Sequence, residues 1–280
     1  MHPVAAARGS FWRVRRTMKG TTGVRDYVNT SDSAVHVNGI DMYIERRGDG
    51  TPLLLLHGGG GAGVNWRLIF DSPPDGYELI VPDLRGHGRS TNPTFAVTFR
   101  QLALDVLALL DCLSVGRFKA IGMSMGAKTL LHLATLQPER VEAMVLVSGT
   151  PYFPEATRAF MRTAAAATHT EKEWEHMRQW HVQGDEQIRA LWDLPYQFAN
   201  DYDDMSFTAP RLGRIQAHTL IVHGDRDPLY PVTLAAEMHA AIPGSHLWII
   251  PNGGHGPIFG EMAQPFARAA LAFLNGEWKS

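Results

Sequence analysis

The sequence predicts an α/β protein with a mostly parallel central sheet, an N-terminal β-hairpin and helices on both faces. Three observations lead there. Continuous apolar runs such as TPLLLLHGGGGAG (51–63) end in glycines, as strands buried on both faces do. These runs alternate strictly with segments of helical period. The alternation fails once, after the sixth strand, where a purely helical stretch is expected to form a lid.

SAVHVNGIDMYIER (33–46) holds two alternating runs joined by Asn38-Gly39, a strong hairpin signal. YELIVPDLRGHGRS (77–90) repeats the strand-then-glycine-loop form of TPLLLL, breaking at Pro82. FRQLALDVLALLDCL (99–113) is apolar at helical spacing and polar at Arg100, Gln101, Asp105 and Asp111. FKAIG is then a strand, SMGAKTLLHLATLQP a helix stopped by Pro138, and VEAMVLVSG a strand. IQAHTLIVHGD and SHLWIIPNGGHG are further strands, each followed by a helix, VTLAAEMHAAI and EMAQPFARAALAFL.

Residues 151–212 read as helices without strands: PEATRAFMRTAAAATH, EKEWEHMRQWHV and DEQIRALW, then an irregular PYQFANDYDDMSFTAP. The segment concentrates aromatics, among them Trp174, Trp192, Phe198 and Phe207. The expected organisation is a core in two parts, 31–150 and 213–280, around a lid at 151–212. Residues 1–30 are basic and lack acids until Asp26; they are expected to be a poorly ordered extension, with Met18 a second possible start. VAAA, their longest apolar stretch, is too short for a secretory signal.

The 280 residues are 45% hydrophobic and 19% charged, ordinary for a globular domain, with a formal net charge of −2. That balance creates no field to hold nucleic acid or an anionic membrane. No apolar run approaches the roughly 18 residues of a membrane span. Cys112 is the only cysteine, so no internal disulfide and no cysteine-rich zinc site can form. A cytoplasmic location is expected, and both monomer and dimer remain open.

GMSMG (122–126) places Ser124 between a strand and a helix. A turn this sharp crowds the backbone, so Gly122 and Gly126 must be small. Ser124 is left at the carboxyl edge of the sheet, beside the helix N-terminus. A serine hydroxyl attacks poorly unless a base takes its proton. Of 13 histidines, His255 alone lies in a glycine loop just after the last strand, at that same edge. His223 is better read as support for its turn, His246 lies within a strand, and His176 and His181 are five apart on one predicted helix. HGDRDPLYP offers two acids to orient the base, Asp225 and Asp227.

LLLLHGGGG, PDLRGHGRS, GMSMG, VHGDRDPLYP and GGHGP, in that order, make residues 33–280 resemble an α/β-hydrolase. The resemblance implies that Asp227 is the catalytic acid, by the family pattern G-x-x-D-x-x-x-P, with Asp225 making turn contacts. It implies an oxyanion hole from the N–H groups of Met125 and Gly59, the glycine run letting backbone approach a ligand closely. Gly58, Trp192 and Phe198 are expected to touch the substrate. Asp83, Arg85 and His87 are implied to brace the site from the side. GMSMGA departs from the commoner G-x-S-x-G-G, and Lys128 has no assigned role.

The resemblance implies a serine carboxylesterase acting on a small to medium apolar ester, without metal or organic cofactor. Carbon–carbon bond hydrolases of ring-cleavage products share the HGGG loop and the Ser-Met pair; lactonases, amidases, perhydrolases and hydroxynitrile lyases reuse the same triad. A ligand receptor on this fold is the alternative from another class. Haloalkane dehalogenases and epoxide hydrolases need a carboxylate nucleophile, against which Ser124 argues.

Overall fold

The computed structural model describes residues 30–165 and 168–278. The extension expected over 1–30 lies outside them, save Thr30, which opens the first strand. Eight strands form one sheet: β1 (Thr30–Val37), β2 (Ile40–Gly48), β3 (Thr51–Leu56), β4 (Tyr77–Pro82), β5 (Phe118–Met123), β6 (Val141–Val147), β7 (His218–Gly224) and β8 (His246–Ile250), in the order β1-β2-β4-β3-β5-β6-β7-β8. The β1–β2 and β2–β4 pairs are antiparallel and every other pair is parallel. Asn38 (φ +45°) and Gly39 (φ +76°) turn the hairpin in two residues, the left-handed conformation for which Asn-Gly is suited.

Strand β3 shows why the central runs are apolar throughout. Leu54 and Leu56 enter the core on one face while Leu53 and Leu55 enter the other, all fully buried. The first face is covered by α1 (Phe99–Cys112), α2 (Met125–Leu136) and α7 (Val232–Ala241). The second is covered by α8 (Ala263–Leu274) and a 3₁₀ segment, Gly63–Leu68, through Trp66.

Four helices lie between β6 and β7: α3 (Glu155–Ala165), α4 (Glu171–Arg178), α5 (Asp185–Asn200) and α6 (Ala209–Leu212). Across this insertion β6 and β7 are direct neighbours, Val145 opposite Leu220. One expectation is corrected. The irregular stretch read from Pro195 onward is helical as far as Asn200. Proline removes one backbone donor from a helix, but Ile188, Leu191, Leu194 and Ala199 bury a continuous face across that point and hold α5 together. A second concerns α4, which ends at Arg178, leaving His181 in the following turn rather than on a helix with His176.

Asp105 is also not the solvent-facing residue its place in the helical pattern suggests. It is fully buried and accepts from Arg85 Nε at 2.6 Å and Nη2 at 2.9 Å, Asn38 Nδ2 at 3.0 Å and Gln101 Nε2 at 2.8 Å. One carboxylate thereby joins the hairpin turn, α1 and the loop after β4. Removing it strands the buried Arg85 guanidinium, so Asp105→Ala should cost about 3–5 kcal/mol of unfolding free energy. Urea denaturation measures this directly; a loss below about 1 kcal/mol would mean the pair is dispensable.

Candidate active site

Ser124 stands between β5 and α2 with φ +49° and ψ −103°, a strained backbone for any residue but glycine. The strain is held by neighbours. Ser124 N donates to Val147 O at 2.8 Å, its carbonyl accepts from Lys128 N at 3.0 Å, and Gly126 N donates to His57 O at 3.1 Å. A Cβ on Gly122 would stand 2.6 Å from the Gly126 carbonyl carbon, and one on Gly126 would fall on the Leu56 carbonyl. The two glycines are there because α2 touches the end of the sheet.

Three residues from three strand ends meet in one chain of hydrogen bonds. His255 Nε2 lies 2.8 Å from Ser124 Oγ, and His255 Nδ1 lies 2.8 Å from Asp227 Oδ2. A carboxylate only accepts, so Nδ1 carries the proton and Nε2 faces the serine hydroxyl as an acceptor. Asp227 also accepts from the amides of Leu229 at 2.8 Å and Tyr230 at 3.1 Å. Burial pushes its carboxyl up, but the His255 contact and the two amides outweigh burial and hold it below the ordinary aspartate value. Asp225 is exposed, so of the two acids in the turn the structure brings Asp227 to the histidine. His223 donates from Nε2 to Tyr230 O at 2.9 Å and supports that turn.

The glycine loop closes the site from the end of β3. A Cβ on Gly58 would lie 3.6 Å from Ser124 Cβ, and one on Gly59 would lie 3.9 Å from Met125 Sδ. Gly58, Gly59, Ser124 and Met125 are therefore adjacent. The Met125 amide is the first of α2 and has no intrahelical partner. Asp83 braces the loop, accepting from Gly63 N at 2.7 Å and Arg89 N at 2.9 Å, while Arg85 pairs with Asp105 and His87 is buried.

Trp192 and Phe198 pack differently from one another. The Trp192 ring stacks on His169 at 3.7 Å and meets Trp174 edge-on at 4.4 Å, both within the inserted segment. Phe198 lies 4.5 Å from Phe99 at the start of α1. Met123 is a neighbour the pattern did not single out: its methyl lies 3.9 Å from where a Gly58 Cβ would be and 3.4 Å from where a Gly256 Cβ would be. Being next to Ser124 was its only signal. Among the described residues, no group of three His, Cys, Asp or Glu is disposed to hold a metal ion. No helix among them is long and apolar enough to cross a membrane.

The profile of the alpha/beta hydrolase fold family matches residues 51–204, more than half of the chain. The chain belongs to that family. A second profile, described as TAP-like protein, matches residues 193–276 of this α/β-hydrolase. The 2-hydroxy-6-oxo-6-(2'-aminophenyl)hexa-2,4-dienoic acid hydrolase of Metapseudomonas resinovorans is 24% identical over 262 residues, 86% of this chain and 90% of that protein. The pimeloyl-[acyl-carrier protein] methyl ester esterase of Nitrosomonas europaea is 26% identical over 244 residues, 77% of this chain and 93% of that protein. Among solved structures, the enol-lactonase from Burkholderia xenovorans LB400 shares the fold at a TM-score of 0.71 and 21% identity, over 86% of this chain and 99% of its own.

Lys128 is the residue of the site for which the sequence suggested no role. It is buried, and its Nζ donates to Tyr230 Oη at 3.0 Å while lying 4.8 Å from the centre of that ring, 5.3 Å from Phe99 and 5.5 Å from Phe153. The Tyr230 ring in turn meets His255 edge-on at 5.3 Å. Aromatic faces stabilise a cation that water no longer reaches. Burial nevertheless brings the ammonium from its ordinary 10.5 down to about 7, against the pull of Asp227. The unfolded chain therefore binds more protons than the folded one between these two values, and stability linked to Lys128 rises with pH across that window. Urea unfolding of the wild type and Lys128→Met should show the wild type gaining on the variant from about pH 7 to pH 10. A difference independent of pH would mean that the buried charge is not what distinguishes them.

Proposed function

We propose that this α/β-hydrolase is a serine carboxylesterase that cleaves a small to medium apolar ester through an acyl-enzyme. The observation that carries the proposal is the unbroken Ser124–His255–Asp227 hydrogen-bond chain. Ser124 Oγ attacks the ester carbonyl while His255 Nε2 takes its proton. Asp227 keeps Nδ1–H in place and stabilises the imidazolium. The N–H groups of Gly59 and Met125 receive the oxyanion, a term worth about 3–4 kcal/mol per donor in comparable sites. His255 then protonates the leaving alcohol, and later activates the water that releases the acid. The reaction so read requires no metal or organic cofactor.

A second reading has a specific observation behind it. The sequence carries the HGGG loop and Ser-Met pair noted above, and one relative bears the name of a dienoic acid hydrolase. Hydrolysis of a carbon–carbon bond in a ring-cleavage product would use the same three residues. Turnover of a chromogenic short-chain ester set beside a ring-cleavage dienoate and a lactone ranks the readings, and kcat/KM highest for the dienoate would replace the first with the second.

Ser124→Ala should lower kcat by about 10⁴-fold or more at an unchanged Tm. A serine-directed phosphonate should label the wild type at Ser124 and leave the variant unlabelled. In the same assay Asp227→Asn should cost about 10³–10⁴ in kcat, because it favours the wrong imidazole tautomer. Asp225→Asn, a change at an exposed turn, should stay within about tenfold of wild type. Greater damage from Asp225→Asn would reverse the assignment of the acid.

We propose further that the inserted helices cover the site as a lid and select acyl-chain length. Phe198, which approaches the core through Phe99, supports this. Phe198→Leu and Trp192→Leu should change the ratio of kcat/KM for butyryl and octanoyl esters by more than about threefold, beyond any common loss of stability. Equal ratios with a lowered Tm in both variants would assign these rings to packing alone.

A further inference from the structure

His181 follows α4 in the inserted segment and is 2% exposed. Its Nδ1 accepts from Gly88 N at 2.9 Å, so the neutral ring carries its proton on Nε2, which lies 3.0 Å from Gly60 O. The rest of this turn docks on the loop after β4: Val182 N donates to Gly88 O at 3.2 Å, and Gln187 Nε2 to Gly86 O at 3.1 Å and Gly88 O at 3.0 Å. Among these bonds, only that of His181 reaches the glycine loop.

The bonds inside that loop run in one direction. Gly60 O and Gly61 N–H belong to one peptide plane, on opposite sides of it. Gly61 N donates to Gly58 O at 3.1 Å. Gly58 O and Gly59 N–H share the next such plane, and Gly59 N–H is the donor assigned above to the oxyanion. His57 secures the same plane from the core, its Nδ1 lying 2.8 Å from Gly58 O while its Nε2 accepts from Leu84 N at 2.9 Å. Each donor in the series His181, Gly61, Gly59 is thus aligned by the bond behind it, and aligned peptide dipoles polarise one another.

We infer that His181 is a positioning residue for the oxyanion hole: its Nε2–H bond to Gly60 starts a relay of two peptide planes that aims and strengthens the Gly59 N–H. This rests on reading Gly59 as an oxyanion donor. It means that the inserted segment completes the catalytic site as well as covering it, since undocking the turn at 181 releases the loop that holds the donor.

The test uses a short acetyl ester, which reaches the reacting centre with little contact to the insertion, and four variants. His181→Phe keeps the ring and removes both bonds; His181→Gln restores a donor towards Gly60; His181→Asn is a second variant should the phenylalanine form fail to fold. Gln187→Leu undoes docking bonds that do not touch the glycine loop. Loss of a whole oxyanion donor costs about 10²–10³ in kcat, so a misdirected one should cost about tenfold or more. We expect that loss in His181→Phe with KM within about twofold, and an equal loss of affinity for a trifluoromethyl ketone, which forms the oxyanion on Ser124. Recovery is expected in His181→Gln, and kcat close to wild type in Gln187→Leu despite a lower Tm. The relay is overturned if His181→Phe, or His181→Asn in its stead, loses no more kcat than Gln187→Leu, or if the ketone binds as in the wild type. Phosphonate labelling separates the two levels of failure. A wild type labelled at Ser124 with an indifferent His181 defeats the relay alone, whereas a wild type neither labelled nor active on esters defeats the esterase reading and the relay with it.

Discussion

The close approach of α2 to the end of β3 is the constraint on which the rest of this molecule depends. With no Cβ at Gly126, the first turn of α2 lies against the Leu56 carbonyl and donates to His57 O. That contact forces the left-handed backbone at Ser124 and exposes its hydroxyl at the sheet edge. It also brings the first free amide of α2 beside the glycine loop, since the chain leaving β3 has nowhere to go but over Ser124. A methyl group at this point would separate α2 from β3, and Ser124, the helix N-terminus and the loop would all shift together.

Around that contact the polar groups are arranged to hold backbone. Asp105 gathers three elements, Asp83 takes two loop amides, and His57 bonds a carbonyl on one side and an amide on the other. Burial keeps His57 neutral at physiological pH, its pKa brought down to about 4, which lets one ring nitrogen donate while the other accepts. Histidines that look like spare catalytic bases in a sequence here act as two-ended struts.

The sheet and the three residues of the hydrogen-bond chain were legible because both follow from local pattern and chain order. LLLL and VEAMVLV can be little else than strands buried on two faces, and Ser124, Asp227 and His255 each stand where such a strand ends. What remained illegible depends on partners far along the chain. Asp105 fits the polar face of a helix until Arg85 and Asn38 meet it. Lys128 finds its surroundings in Phe99, Phe153 and Tyr230, from three separate elements. Pro195 reads as a helix stop because local propensity opposes the helix there; only the buried face of α5 outweighs it.

The placement of the inserted segment between β6 and β7 has an evolutionary side. β6 and β7 are parallel, so the chain between them must be long enough to cross over the sheet, but beyond that length it can vary as a cassette without refolding the sheet. In this molecule the cassette is not cleanly removable. Asp204, near its end, caps α1 by accepting from the amides of Phe99 and Arg100. A chimaera that imports a foreign segment without a carboxylate at this point would lose both of these bonds, leaving Thr98, whose side chain accepts from Gln101 N at 3.0 Å, as the remaining cap of α1.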